Sequence, residues 1–239
     1  MTRLAGMQPY FFPYIGYWRL IHSADVFVLF DEAQYMRQGW VNRNRILMND
    51  GTWRYIIVPV IRHARRTAIK DVQIATDTNW HSKILKQLGV YKVSAPYFDE
   101  IYGFVDSLLA EAEDETIGHL NCRLIRQICD LLTIDTDIVV SSEFSFDYSA
   151  VDGPGDWPLV HALAFGATEL INPAGGFALL DESKFRAHGI RLTSMPATEV
   201  VYGQPHRSLQ SSLSIIDVLM YNGVLGTRKL LDIHGRSAL

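Results

Sequence analysis

The chain lacks the features that mark several common functional classes. There is no excess of one charge: 22 Lys and Arg against 26 Asp and Glu leave a formal net of −4 over 239 residues, so no global field draws it to nucleic acid or to an anionic membrane. Cysteine is scarce. Cys122 and Cys129, the 2 present, lie seven positions apart in a helix-patterned segment, two turns from each other on one face and out of disulfide reach. They read as buried apolar residues in a reducing compartment, which predicts a cytoplasmic location. No apolar run approaches the roughly eighteen residues of a spanning helix. The opening MTRLAGMQPYFFPYIGYW is interrupted by Pro9, Pro13 and Gly16, unlike a signal peptide. Also missing are Gly-x-Ser-x-Gly, Gly-x-x-x-x-Gly-Lys-Ser/Thr and Gly-x-Gly-x-x-Gly, which argues against a common serine hydrolase, a P-loop enzyme and a standard dinucleotide site. None of the 8 histidines has ligand spacing with a Cys or carboxylate motif, so no bound metal is predicted.

What is present is globular material, 48% hydrophobic and 20% charged, fitting a single domain over residues 1–239. Leu4 to Met7 reads as a short strand, Gln8 to Tyr14 as a turn, and Gly16 to His22 as a helix start. Asp25 to Phe30 is a buried strand and Thr52 to Ile61 another, with Pro59 at an edge or bulge, while Ile69, Val72 and Ile74 predict one more. From Trp80 the period is helical. Ile84, Leu85 and Leu88, then Phe104, Leu108 and Leu109, predict two helices joined near Ala95-Pro96, with a third from Ile117 to Leu132. Thr136 to Ser141 returns to strand, and Ser141 to Pro158 is a flexible loop and candidate lid. A helix at Leu159 to Phe165, a strand at Glu169 to Asn172, and a helix at Leu213 to Tyr221 capped by Ser211 or Ser212 complete the pattern. It predicts an α/β fold: a Rossmann-like mixed or mostly parallel sheet with flanking helices and a helical C-terminal part.

The densest chemistry is Asp31 to Arg45 (DEAQYMRQGWVNRNR), directly after the buried strand, where open α/β sheets bind ligands. Desolvation and mutual repulsion would raise the pKa of Asp31 or Glu32 and make a general base. Adjacent strand residues face opposite ways, and Gln34 and Trp40 folding back over the strand end favour Asp31. The plainer alternative has Asp31 capping the loop and Glu32 solvated. In an extended Asn42-Arg43-Asn44-Arg45 both Asn share one face and both Arg the other. One face would read sugar hydroxyls or an amide; the other would clamp a phosphate or carboxylate, unless both Arg form surface ion pairs.

Other segments are candidates too. Gln8, Tyr10, Tyr14, Gly16 and Tyr17 bracket a strand-to-helix turn that would hold an anion on helix N–H groups, or form an aromatic plug. Its layout resembles the first loop of nucleotidylyltransferases of the HIGH superfamily, with Tyr17 where their His stands. Arg62-His63-Ala64-Arg65-Arg66 is a solvated loop or a dock for an acidic carrier or diphosphate. Asn172, Gly175 and Gly176 leave bare backbone at a strand end, and Tyr202 and Gln204 form a similar turn.

Taken in order, Gln8 to Tyr17, Asp31 to Arg45, Asn172-Pro173 with its Gly pair, and Leu213 to Leu219 resemble the WbqC-like family over nearly the whole chain. Many members have His-Gln-Pro and two Asp where this sequence has Met7 and Glu32, so a mechanism resting on that His or on a strict Asp pair does not carry over. The resemblance implies a transferase attaching an acyl or aminoacyl group to the amine of an aminosugar, usually nucleotide-linked, in O-antigen or other surface polysaccharide biosynthesis. Asp31 or Glu32 would be the base, Asn42, Asn44 or N–H groups near Gly175 the oxyanion donors, Arg43 and Arg45 the anion clamp, and Trp40, Tyr10 and Tyr14 the stacking platforms. The donor would be a co-substrate, with an acyl carrier or aminoacyl-tRNA as partner. A nucleotide-binding enzyme related to nucleotidylyltransferases and a non-catalytic sugar-binding or assembly protein are the alternatives.

Overall fold

The computed structural model describes residues 1–110, 116–197, 200–205 and 210–232; His206 and His234 lie outside them. In chain order the elements are β1 (Arg3–Met7), α1 (Ile15–Ser23), β2 (Val26–Leu29), β3 (Arg43–Leu47) and β4 (Trp53–Ile57). Helices α2 (Trp80–Leu88), α3 (Phe98–Ala110) and α4 (Ile117–Leu131) follow, then β5 (Asp137–Val140), α5 (Trp157–Ala164) and β6 (Glu169–Pro173). The one-turn helix α6 (Ala174–Phe177), α7 (Glu182–Ala187), β7 (Arg191–Met195) and α8 (Ile215–Asp232) complete the described chain.

Five strands form one sheet in the order β5-β2-β1-β6-β7, and every pairing is parallel. The chain winds outward from β1 to β2 and β5, then crosses back to place β6 on the other side of β1. This is a Rossmann-like α/β arrangement, with a topological switch between β1 and β6. Side chains alternate across it as the period of two requires. Leu4 and Val28 face Leu159, Leu170 and Phe185 under α5 and α7; Ala5, Phe27 and Leu29 face the larger core shared with α1, α4 and α8. With both faces covered, the strands read as continuous apolar runs.

The long crossover from β2 to β5 carries the antiparallel hairpin β3–β4 and helices α2 to α4. Thr116 caps α4 by accepting from the His119 N–H. The buried stripe of α4 includes both cysteines, whose thiols are pushed up by desolvation, Cys129 to about 12. Both are free, and held as thiols they are poor nucleophiles. No helix among the described residues is long and apolar enough to cross a membrane.

Buried side chains fasten the loop between β1 and α1 through its carbonyls. Asn44 Nδ2 donates to the Phe11 and Phe12 carbonyls at 3.0 and 2.8 Å, and Asn121 Nδ2 to those of Pro9 and Val41 at 2.8 and 2.7 Å. Tyr17 Oη donates to the Gln8 carbonyl, Trp18 Nε1 to that of Pro13 and Ser214 Oγ to that of Phe12. Phe12 sits at φ 42°, a region costly for a bulky side chain, and the surrounding donors hold it there.

Several elements differ from the sequence expectation. Ile69 to Ile74 is a 3-10 turn followed by single bridges, not a strand, because its residues find successive partners in Val60, Thr116 and Ile117 rather than one neighbouring strand. The Pro173 to Gly176 turn closes into α6. Helix α5 starts at Trp157, with Pro158 in the first turn where its missing N–H costs nothing. The last helix is capped by Ser214, whose Oγ accepts from the Ile216 N–H, and runs past Tyr221 through a kink at Gly223, φ 62°. A Cβ there would come within 2.6 Å of the Tyr97 ring. Helix α7 and strand β7 carry no strong sequence pattern. The segment 141–158 is anchored: Phe144, Phe146 and Tyr148 pack on Phe165, His161 and Trp157.

The clamp on the β1–α1 loop gives a direct prediction. Asn44→Ala will lower stability in urea denaturation by about 3 kcal/mol, because it strands two carbonyls in a dry interior; a loss below about 0.5 kcal/mol would refute the clamp.

Candidate functional site

The switch between β1 and β6 opens into a cleft of about 750 Å³. Its walls come from the end of β1 (Met7), the β1–α1 loop and first two turns of α1 (Tyr10, Tyr14, Gly16, Tyr17, Arg19), and the end of β6 with α6 (Asn172, Gly175, Gly176). Met195 from β7, Tyr202, Ser211 and Ser212 complete them. Gly175 faces open space, while Asn172 Nδ2 lies 2.8 Å from where a Cβ of Gly176 would sit. Gly16, expected to let a ligand approach, instead admits the Tyr14 ring, which would stand 2.6 Å from its Cβ.

The tyrosines divide by where their hydroxyls go. Tyr17 is buried against Tyr10, Trp18 and Phe27 and its hydroxyl serves the loop. Tyr10 and Tyr14 are half-buried, and desolvation raises their pKa, so both remain neutral donors at pH 7. Tyr202 donates to Asp217 Oδ2 at 2.6 Å while Tyr91 donates to Oδ1 at 2.6 Å. Burial pushes the Asp217 carboxyl up to about 6, and the two tyrosine hydroxyls pull the other way.

On the opposite face of the sheet lies a small chamber of about 60 Å³ that shares Met7 and Asn172 with the cleft and adds Gln8, Phe30, Trp157 and His161. Burial drives the His161 imidazole down to about 4. Its Nε2 is 3.0 Å from Tyr148 Oη, which donates to Glu32 Oε2 at 3.0 Å. Lys70 Nζ contacts Glu32 Oε1 at 3.3 Å. A titratable chain therefore runs from the chamber to a half-buried carboxylate.

The remaining residues singled out in the sequence lie apart from the cleft. Asp31 is buried and accepts from Ser141 Oγ at 2.9 Å, Ser142 N–H at 3.1 Å and Ser142 Oγ at 2.6 Å. Its carboxylate ties the end of β2 to the end of β5. Asn44 is in the loop clamp, and Asn42 donates to the Val58 carbonyl at 2.9 Å. Arg43 and Arg45 do share a face of β3: Arg43 lies over Tyr55, and Arg45 over both Trp40 and Trp53. Arg45 also donates to the Ser212 carbonyl at 3.0 Å, joining the hairpin to the cleft rim. Arg37, Asn42, Arg43, Arg62 and His63 line a shallow groove of about 580 Å³ beside the hairpin. Gln34 donates to the Arg65 carbonyl, and Gln204 pins Gln210 by a reciprocal pair of bonds. Among the described residues no three His, Cys, Asp or Glu side chains gather as a metal site would need.

Sequence reasoning passed over Arg19, Tyr148, His161 and Asp217. Arg19 and Asp217 each stand alone in an apolar helical run, IGYWRLIH and SIIDVL, a usable signal, since a charge on a core-facing stripe needs a reason. Tyr148 and His161 meet Glu32 only through tertiary folding.

The His161 shift has a worked pH consequence. Above pH 6.5 the imidazole is neutral in both folded and unfolded chains. Below it the unfolded chain takes a proton that the buried ring refuses, so His161 alone costs about 3 kcal/mol of stability between its ordinary 6.5 and about 4. Asp217 acts oppositely: the stability carried by its protonated form is lost as pH rises from 3.8 through about 6. Urea denaturation of His161→Phe will therefore lose the acid-side decline over this window and leave stability falling as pH rises; a profile like that of the parent would refute the assignment.

An uncharacterized protein of Mycobacterium tuberculosis strain ATCC 25618 / H37Rv, Rv1507c, is 28% identical over 225 residues, covering 93% of this chain and 95% of that one. No solved structure matches the chain. Residues 8–229 match the WbqC-like protein family, a span that takes in the β1–α1 loop, the β6 end and most of α8, and the chain belongs to that family.

Proposed function

We propose that this protein is a transferase that attaches an acyl or aminoacyl group to the amine of a nucleotide-linked aminosugar, for surface polysaccharide or a related glycan. The observation that carries the reading is the switch-point cleft itself. Half-buried Tyr10 and Tyr14, whose rings would stack on a sugar or base and whose hydroxyls would donate to it, line the same cleft as the open backbone at Gly175. A sugar-sized ligand bound there would lie beside Met7 and Asn172, the two residues shared with the chamber of His161.

Amide formation joins the amine nitrogen to the acyl carbon, breaks the bond from that carbon to its carrier, and sends the surplus amine proton to a base. Both carboxylates are hydrogen-bonded, Asp31 by Ser141 and Ser142 and Glu32 by Lys70 and Tyr148; Glu32 suits that task better because its Tyr148 contact leads on to His161 in the chamber, whereas the serines only tie Asp31 to the end of β5. Asn172 and the N–H groups near Gly175 would steady the oxyanion, since the amides of Asn42 and Asn44 are taken by backbone carbonyls. Arg37, Arg43 and Arg62 in the hairpin groove, with Arg65 and Arg66 nearby in the chain, are where an acidic acyl carrier or aminoacyl-tRNA would dock. Two buried free thiols accord with a cytoplasmic site of action.

The test is a thermal-shift screen against nucleotide-linked aminosugars, the same sugars without the amine, ATP and CTP with Mg²⁺, and coenzyme A. Stabilisation that depends on the amine is expected. Stabilisation by ATP or CTP alone would replace this reading with that of a nucleotidylyltransferase-like enzyme. On the acceptor so found, Glu32→Gln will slow turnover by about 100-fold or more. Asp31→Asn will cost about 2 kcal/mol of stability with the folded fraction still active. If Glu32→Gln leaves turnover unchanged, Glu32 is not the base; if an acceptor binds without any turnover and Glu32→Gln leaves glycan output unchanged, the protein is a sugar-binding or assembly factor.

A further inference from the structure

Arg19 is 5% exposed, lines the switch-point cleft, and has neither hydrogen bond nor ion pair among the described residues. Its Nε is buried without a partner. The Arg45 Nε is buried in the same way, so what sets Arg19 apart is its two terminal nitrogens, which keep their charge at any physiological pH and which no group among the described residues holds, leaving them to whatever fills the cleft. Arg45 shows the ordinary remedy, handing its NH2 group to the carbonyls of Ser211 and Ser212. Arg19 has no such outlet, and no carboxylate stands among the described residues of the cleft wall.

Its place on α1 adds a second, independent observation. Helical side chains lean toward the N-terminus, and the residues one turn back from Arg19 are Ile15 and Gly16, in the first turn of α1 and on the wall of the same cleft. That turn has no side-chain cap from Tyr14, and Gly16 also lines the cleft. A fixed cation and the positive end of a helix thus border one cleft.

We propose that Arg19 is the anion ligand of this cleft, gripping a phosphate or carboxylate of the bound substrate in a two-pronged contact. The inference deepens the transferase reading and rests on its placing the substrate in this cleft: the substrate must bring an oxyanion to the inner end of α1. A nucleotide-linked sugar would supply it from its diphosphate, an acidic sugar or an amino acid from its carboxylate.

Melting temperatures of the parent, Arg19→Met, Arg19→Lys and Glu199→Gln, measured with inorganic pyrophosphate and separately with glucuronate, test this. Glu199 is included because it lies in sequence between the cleft residues Ala197 and Val200. The parent is expected to rise by about 4 °C with one of the two anions at ten times its dissociation constant; pyrophosphate would name the phosphate source and glucuronate the carboxylate. Arg19→Met should lose the rise and, without ligand, melt no lower than the parent, having shed an unpaired charge. Arg19→Lys, which keeps charge and bulk but not the fork, should lose at least half of it. Glu199→Gln should respond as the parent does. No response of the parent to either anion, an undiminished one in Arg19→Lys, or a larger one in Glu199→Gln that marks Glu199 as the native counterion would each overturn the inference. Anion binding through Arg19 with no dependence on a sugar amine would leave it standing and remove the transferase reading instead.

Discussion

The molecule depends on the grip that buried amides keep on the loop between β1 and α1. That loop has two prolines, adjacent phenylalanines and a left-handed Phe12, so local propensity alone does not dictate its path. Asn44 arrives from the hairpin, Asn121 from α4 and Ser214 from the threshold of α8, and each spends its polar group on a carbonyl that no strand or helix could serve. Three parts of the chain distant in sequence are thereby held in register around one strand end. The large crossover between β2 and β5 has a physical purpose here, since it brings the hairpin and α4 to the spot where the loop needs donors.

From that grip follows the division of labour around the sheet edge. With its carbonyls occupied, the loop turns Tyr10 and Tyr14 outward to the cleft, and the sheet separates this wide tyrosine-lined space from the tight aromatic chamber around His161. Charged groups keep to separate stations. Asp31 joins two strand ends, Glu32 closes a chain of titratable groups, and Asp217 holds two tyrosine rings in place. The neutrality of His161 and the raised Asp217 share one cause, exclusion of water.

Much of the fold was legible in the sequence because its strong signals are local. The apolar run of β2, the helical period after Trp80 and the break at Gly175-Gly176 each announce themselves within a few residues. Helix α7 and strand β7 did not, being short and half-exposed, and the Ile69 to Ile74 run misled because clustered β-branched residues imply burial without naming a partner strand. The site divides similarly. Tyr10, Tyr14, Gly16, Asn172, Gly175, Gly176 and Tyr202 do gather at one cleft, as strand-end turns should. Asp31, Asn42 and Asn44 were singled out for being polar beside an apolar strand, a description that fits a fastening side chain as well as a reacting one. Only the partners of each polar atom separate the two, and those come from more than a hundred residues away in the case of Asp31 and Ser142.

The seam between β1 and β6 also bears on how the chain is made. Arg3 pairs with Glu169 and Leu4 with Leu170, so the central strand waits for one of its two neighbours until the whole crossover, α5 included, has been made. Closing so long a loop is slow, and an unpaired central strand is open to wrong partners meanwhile. β2, which follows after a single short helix, can cover one edge of β1 early. The cleft straddles the other edge, and cannot exist on a nascent chain before β6 is made.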